Sequence, residues 1–343
     1  MKIGIVGYTG SGKSALFELL SGIRPDPALA HIGQSAMAPI PEPRIAQLCE
    51  IYHPKKITQA SLELLDTPGL NRTHEGNATR LAVLREAGCL VLVVAGFAGA
   101  DPKSDLQSFA EDLLFSDLDI ITRRIEKLAE SSRKPKPTRE QELAELECLK
   151  PLAAMLDSGQ PLTTMKLSEE QLKATRSFCL LTEKPLMVIV NTSDDEPHPE
   201  RFTSLSTAKR PVLAAPIGLE LELARLDEEE RASFAAEMGL STASSRDAIL
   251  RRMLDVSGQM LFFTAGDKEV RTWILPQGGT ALDAAAGIHT DLARGFIRAE
   301  IMTCSDLVRL GSEREVKAHS LVRQEPKDYV VKDDDILHIR FNV

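Results

Sequence analysis

Residues 3–22 read IGIVGYTGSGKSALFELLSG: an apolar run, a glycine-rich loop and an amphipathic run, in the order strand, loop, helix. From Gly7 to Ser14 the spacing is G-x-x-x-x-G-K-S, in which successive backbone N–H groups surround phosphate oxygens at a helix N-terminus. Gly7, Gly10 and Gly12 let the backbone turn tightly and approach an anion, because a Cβ clashes in the left-handed conformations of such a nest. The Lys13 ammonium can sit between the outer phosphates, and the Ser14 hydroxyl is a hard ligand suited to Mg²⁺. Gly7, Tyr8, Thr9, Gly10, Ser11, Gly12, Lys13 and Ser14 are therefore the expected phosphate-binding residues, and their setting predicts an α/β domain.

A length of 343 residues predicts more than one core, at roughly 100 to 200 residues per domain. Hydrophobic residues make up 43% and charged ones 27%, a globular balance that excludes a disordered chain. The apolar run at 89–100 is too short to span a bilayer, and the N-terminus enters the first strand with no signal pattern, so a cytoplasmic protein without a membrane partner is expected; a monomer is the expected state. Five cysteines, at 49, 89, 148, 179 and 304, form no C-x-x-C pair, which argues against a disulfide framework or a zinc site. The net charge of −9 disfavours tight non-specific binding to nucleic acid, a term that depends on Lys and Arg. One local basic set remains, Lys268, Arg271, Arg294 and Arg298, which are candidates for facing RNA. Ion pairing with Glu269, Asp291 and Glu300 is the plainer alternative.

Downstream, SLELLDTPGL (61–70) carries another strand signal into Asp66 and Gly69, a D-x-x-G arrangement. The bare pattern also describes an ordinary turn. Behind a buried-type strand it reads as Asp66 holding Mg²⁺, often through water, and the Gly69 N–H sensing a γ-phosphate. CLVLVVAGF (89–97) and PLMVIVNTSD (185–194) are continuous apolar runs suited to a parallel sheet covered on both faces, and strands alternating with helices predict a doubly wound domain. Residues 117–181 read as helical. Leu118, Ile121, Ile125 and Leu128 form one heptad-like stripe and Leu146, Leu149, Ala153 and Leu156 another, expected to pack as an antiparallel hairpin. Thr138 with Gln141, and Ser168 with Gln171, have the capping-box pattern. From Leu261 onward short strands surround a helix beginning near Thr280, and the chain ends in an expected strand, turn and strand. The resulting domains are 1–116 with 182–257, an inserted 117–181, and 258–343.

GYTGSGKS, LLDTPGL, APIPEPRIAQL (38–48), the helical insertion and the tail from TAGDKEVRTWILPQGG (264–279) to KDYVVKDDDILHIRFNV (327–343) together resemble the YchF or Obg-like ATPase family. The resemblance spans nearly the whole chain. It implies a doubly wound P-loop NTPase domain with a helical-hairpin insertion, a C-terminal α+β ubiquitin-like β-grasp (TGS) domain, and a translation-associated NTPase, often ribosome-bound, with some members preferring ATP. Three departures stand out. The segment ALAHIGQSAMAPIPEPR (28–44) lacks the switch threonine, with Ser35 a weak substitute. Pro68 stands where the family usually reads D-x-A-G-L, although Leu70 agrees with the family in being apolar where Ras-like enzymes use a water-orienting glutamine, and the resemblance places a histidine at about Leu92 that this chain lacks. His74, in the polar loop NRTHEGNATR (71–80), is then the candidate catalytic group, since imidazole can orient or relay a proton.

NTSD (191–194) follows a strand where related GTPases carry N-K-x-D, so Asn191, Thr192 and Asp194 are the expected base-binding residues. Asp194 is an acceptor-only carboxylate matched to the N1–H and N2 amino donors of guanine, both missing from adenine. Binding of GTP at least as well as ATP is expected, although the resemblance leans to ATP. The function that follows is a slow Mg²⁺-dependent hydrolase of GTP or ATP, switching its affinity for the ribosome or RNA through the C-terminal and helical regions. The alternative is a nucleotide-binding scaffold that has lost useful hydrolysis. A small-molecule kinase is disfavoured by the D-x-x-G, the N-x-x-D and the tail together.

Overall fold

The computed structural model describes residues 1–97, 99–196, 198–237 and 245–342, in two compact units. Unit 1 comprises residues 1–37 and 63–246; unit 2 comprises 38–62 and 247–343.

Unit 1 is built on a six-stranded sheet. Its strands are β1 (Lys2–Gly7), β2 (Gln34–Pro39), β4 (Ser61–Asp66), β5 (Cys89–Ala95), β6 (Leu186–Asn191) and β7 (Val212–Ala215), with β3 (Ile57–Thr58) lying elsewhere. The order is β2-β4-β1-β5-β6-β7, and β4, β1, β5, β6 and β7 run parallel. All seven residues of β5 are buried, as an apolar run covered on both faces requires. The chain builds on one side of β1 through β4 and on the other through β5. That reversal opens a crevice at the carboxyl ends of the strands, where ligands of open α/β sheets bind. The loops that leave β1, β4 and β6 there are 7–14, 66–69 and 191–194.

Helix α1 (Lys13–Ser21) leaves the first loop, α2 (Arg44–Tyr52) belongs to unit 2, and α3 (Asn77–Val83) follows the D-x-x-G loop. Helix α4 (Pro102–Ser131) is capped by Asp101 and begins ahead of the expected boundary at 117. With α5 (Arg139–Asp157) it forms the hairpin, and the two leucine stripes meet in one cluster with Leu162 and Leu180. Arg124 closes the pair with a two-pronged bond to Glu145 at 2.7 Å. Thr138 makes no side-chain cap bond, whereas Ser168 and Gln171 form a full capping box ahead of α6 (Glu169–Thr175). Helix α7 (Ile217–Leu223) packs beside α1. No helix among the described residues is long and apolar enough to cross a membrane.

Unit 2 has a mixed sheet in the order β11-β10-β12-β8-β9-β3, with β8 at Gln259–Thr264, β9 at Val270–Pro276, β10 at Phe296–Thr303, β11 at Arg323–Glu325 and β12 at Asp335–Phe341. The helix Ala281–Ile288, capped by Thr280 and Asp283, packs its alanines on Phe262, Leu275, Ala299 and Ile301. Of the expected final strand, turn and strand only the second strand forms, and Val330 makes an isolated bridge to Thr280.

Residues 38–62, expected within the nucleotide domain, group with the C-terminal unit, as does the chain from Asp247 rather than 258. Ile45 and Leu48 on α2 share a core with Phe263, Met302, Leu307 and Ile336, and β3 pairs with β9 in parallel. Glu42, just before α2, is buried between Arg44 (2.7 Å) and Arg251 (3.0 Å).

Candidate functional site

The glycine loop has the backbone its sequence demands. Gly10 and Gly12 have φ of 85° and 94°, the left-handed region closed to most side chains. A Cβ at Gly7 would lie 2.5 Å from both Ser11 Oγ and the Val93 carbonyl, and one at Gly12 would lie 2.2 Å from Asn191 Nδ2. These glycines answer to close neighbours as well as to any anion. The Ser11 hydroxyl is buried and has no partner among the described residues.

Lys13, Ser14 and Asp66 converge. Lys13 Nζ donates to Asp66 Oδ1 at 3.0 Å and the Ser14 hydroxyl donates to Asp66 Oδ2 at 3.0 Å. Both residues of the Lys13–Asp66 ion pair are largely buried. The D-x-x-G loop is stitched to the glycine loop: Leu70 N–H donates to the Gly7 carbonyl at 2.9 Å and Thr9 N–H to the Leu70 carbonyl at 3.1 Å. A Cβ on Gly69 would come 3.1 Å from Thr9 Oγ1 and 3.7 Å from Lys13 Cε. A cavity of about 220 Å³ is lined by Ser14, Asp66, Thr67, Asp26 and Gln34. Sequence reasoning missed Asp26 and Gln34, whose segment carries no spacing motif. Asp26 Oδ1 accepts from Ala28 N–H, and its own N–H donates to Gln34 Oε1. Ser35 is exposed on β2.

Asn191 acts as a brace. Its Nδ2 donates to the Ser11 carbonyl at 3.1 Å, and its Oδ1 accepts from Ile217 N–H at 3.1 Å. Thr192 is buried, its N–H on the Ala215 carbonyl at 3.0 Å. Asp194 is exposed, with Oδ1 beside Gly218 at the start of α7. Residues 215–218 thus wall the same corner, a role no pattern in that stretch announces.

His74 is held elsewhere. It has φ of 63°, and its Nδ1 is 2.7 Å from Asp112 Oδ1 on α4. Asn77 Nδ2 donates to Asp112 Oδ2 at 2.8 Å, and the Tyr8 hydroxyl reaches that oxygen at 3.4 Å. Burial, then the Asp112 charge, pushes the Tyr8 phenol well above its ordinary range, which keeps it a neutral hydroxyl directed at Asp112. Leu92, at the position where the resemblance puts a histidine, is fully buried in β5.

Of the four basic residues of unit 2, Arg271, Arg294 and Arg298 each have a neighbour of their own. Arg294 pairs with Asp291 (3.3 Å), Arg298 with Glu300 (3.7 Å), and Arg271 lies over the Trp273 ring at 3.7 Å. Arg271 on β9 and Arg298 on β10 are separated by β12 and β8, a span of about 14 Å at the usual strand spacing.

A family model described as a 50S ribosome-binding GTPase matches residues 2–119, and a YchF-GTPase C-terminal model, described as a protein of unknown function, matches 260–342. The ribosome-binding ATPase YchF of Haemophilus influenzae is 33% identical over 365 residues, covering 100% of this chain and 99% of that protein. The chain belongs to the YchF family. The Bacillus subtilis YchF, also named a ribosome-binding ATPase, is 30% identical, with 99% of both chains covered. The YchF GTPase structure from Schizosaccharomyces pombe, 24% identical, covers 99% of this chain and 97% of its own with a TM-score of 0.84. The YchF fold therefore extends through both units, and the glycine loop is that of a P-loop GTPase-family domain.

Proposed function

We propose that this protein is a Mg²⁺-dependent P-loop NTPase that binds GTP or ATP, hydrolyses it slowly to the diphosphate and phosphate, and changes its affinity for the ribosome with the nucleotide bound. The observation that carries the reading is the meeting of Lys13, Ser14 and Asp66 within 3.0 Å at the mouth of a left-handed glycine loop. The names of the bacterial relatives support the ribosome as partner. The Ser14 hydroxyl and the Asp66 carboxylate are adjacent hard oxygen donors, a set that fits Mg²⁺. The ion would supply charge neutralisation at the outer phosphates.

The chain's own groups do the rest. Backbone N–H groups of 9–14 cradle the phosphates, and Lys13 exchanges Asp66 for phosphate oxygens. The Gly69 N–H senses the terminal phosphate, and Asp194 accepts from guanine, with Asn191 holding that corner in place. Differential affinity of the two conformations for triphosphate is what makes such a protein a switch.

A second reading, a nucleotide-holding scaffold without useful hydrolysis, is favoured by the missing switch threonine and by Leu92, buried where the resemblance puts a histidine. In either reading His74, bonded to Asp112, is expected to be a loop anchor, and His74→Ala should change single-turnover hydrolysis by less than about threefold.

Titration with fluorescent nucleotides and Mg²⁺ tests the site. Lys13→Ala should lose most affinity while the chain still folds, because it removes a phosphate-neutralising charge and no apolar core side chain, with a lower melting temperature from the largely buried Asp66 left without its ion-pair partner. Unchanged affinity makes the loop a structural turn. In competition GTP should match or exceed ATP, and ATP winning by tenfold or more removes Asp194 from base reading. Single-turnover hydrolysis then divides the switch from the scaffold.

A further inference from the structure

We propose that Arg72 is the γ-phosphate-sensing cation of this site, and that Asp105 on α4 competes with the phosphate for it. The inference rests on the nucleotide-site reading above and adds a residue that no motif contains. Arg72 lies three positions beyond Gly69 in the loop stitched to Thr9 and Gly7. It lines a cavity of about 410 Å³ together with Thr9, Gly10, Gly99, Ser104 and Asp105. Among the described residues on that wall it is the one cation. The nearness of Gly69 to both Thr9 Oγ1 and Lys13 Cε identifies this end of the loop as the outer-phosphate end, since Lys13 is the group that reaches the β- and γ-phosphates.

Its present bonds suit a group held in reserve. Nε and Nη2 donate to the two Asp105 oxygens at 2.9 and 2.7 Å, and the guanidinium lies 5.2 Å from the centre of the Tyr8 ring, a loop residue. Asp105 is buried and the Arg72 side chain is 52% exposed, so the guanidinium is free to turn toward an anion from the solvent side, while the cost of leaving the Asp105 carboxylate without its partner is what makes the exchange a competition. A guanidinium fork bonds phosphate as well as carboxylate, and a triphosphate presents more charge than one aspartate. A second cation at the terminal phosphate, beside the loop lysine, is a recurring need of phosphoryl-transfer sites. Taking Arg72 from Asp105 frees the 70–77 loop from α4 at one of its anchors. The presence of the γ-phosphate is thereby reported to α3 and α4.

The test is the affinity ratio of a non-hydrolysable triphosphate to the matching diphosphate, measured by calorimetry in the full chain with the imido analogues of GTP and ATP against GDP and ADP. This readout is independent of whether the protein hydrolyses anything. Arg72→Ala should lower the ratio about tenfold while diphosphate affinity stays within about twofold, the loss of one charge-assisted contact. Arg72→Lys should fall between, and Asp105→Asn, which removes the competitor and keeps Arg72, should raise the ratio. Parallel loss of both affinities in Arg72→Ala, or no change in either, overturns the inference, and an unchanged ratio in Asp105→Asn overturns the exchange. A wild-type chain that binds neither nucleotide overturns the phosphate-loop reading itself, and this inference with it.

Discussion

Asn191 joins two loops that are distant in sequence, and its amide is spent on both: the donor on Ser11, the acceptor on Ile217. It is also the neighbour that leaves no room for a Cβ at Gly12. Asn191→Ala strands a buried carbonyl and a buried N–H, at about 1 to 3 kcal/mol each when left without a partner. The expected outcome is a lower melting temperature by calorimetry and weaker binding of guanine and adenine nucleotides in equal proportion. Asp194→Ala, which touches the base corner and not the phosphate loop, should instead narrow the preference between bases. An Asn191 variant that shifts only that preference would show the residue reading the base directly. At this scale the residue types in 7–14 were legible because steric demand and charge are local. The brace was not, since an asparagine at a strand end is equally a turn former.

Among the elements, α4 does two jobs along one length. Its first turns carry Asp105 and Asp112, which hold Arg72, His74 and Asn77 of the loop after Gly69. Its middle is tied down by Asp117, fully buried, which accepts from Arg85 at 2.9 Å and from Thr182 N–H at 2.7 Å. Asp117→Ala leaves Arg85 and that N–H short of an acceptor, and breaking one side of such a buried pair costs about 3 to 5 kcal/mol. Ser116 and the carbonyls of Phe178 and Cys179 still accept from Arg85, which puts the expected loss near the lower end, read by urea unfolding. In unit 2, burial opposes the Glu42 charge, but Arg44 and Arg251 outweigh it and hold the carboxyl below its ordinary 4.5. A depressed acid stabilises the fold above its unfolded pKa, and that contribution disappears as pH falls through the folded value. Glu42→Gln should therefore be less stable than wild type at neutral pH, and the gap in melting temperature should close as the pH falls below the ordinary 4.5 and through the lower folded value. A constant gap across that range would mean that packing, not charge, sets the difference.

At the scale of the whole molecule, the units do not follow the order of the chain. Residues 38–62 leave the first sheet, pack Ile45 and Leu48 into the C-terminal core, and return. Cutting after Ser257 removes Phe263, Met302, Leu307 and Ile336 from around them, and each buried side chain of this kind is worth about 1.5 to 3 kcal/mol. We expect the 1–257 fragment to melt well below the full chain and to aggregate, by calorimetry and light scattering. A fragment as stable as the full chain would restore the boundary at 257. The proposal that the C-terminal unit contributes to ribosome binding is for that reason better tested by charge reversal at Lys268, Arg294 and Arg298 in the intact protein, with cosedimentation as the readout.

By itself the sequence determined what depends on neighbours a few residues apart. The left-handed glycines, the lysine and serine that end the loop, the strand-like character of 89–97 and 185–191 and the leucine stripes of the hairpin all follow from sterics, charge and period. Tertiary structure decided what depends on a partner far along the chain. It sent α2 and β3 to the C-terminal sheet, because an amphipathic segment states that it needs a core and not which one. It bound His74 to Asp112 and Arg72 to Asp105, because a polar loop offers several nitrogen-bearing side chains and only the fold brings one carboxylate within 3 Å of each. It also set Asn191 against Gly12, where two residues far apart in sequence share a single close contact.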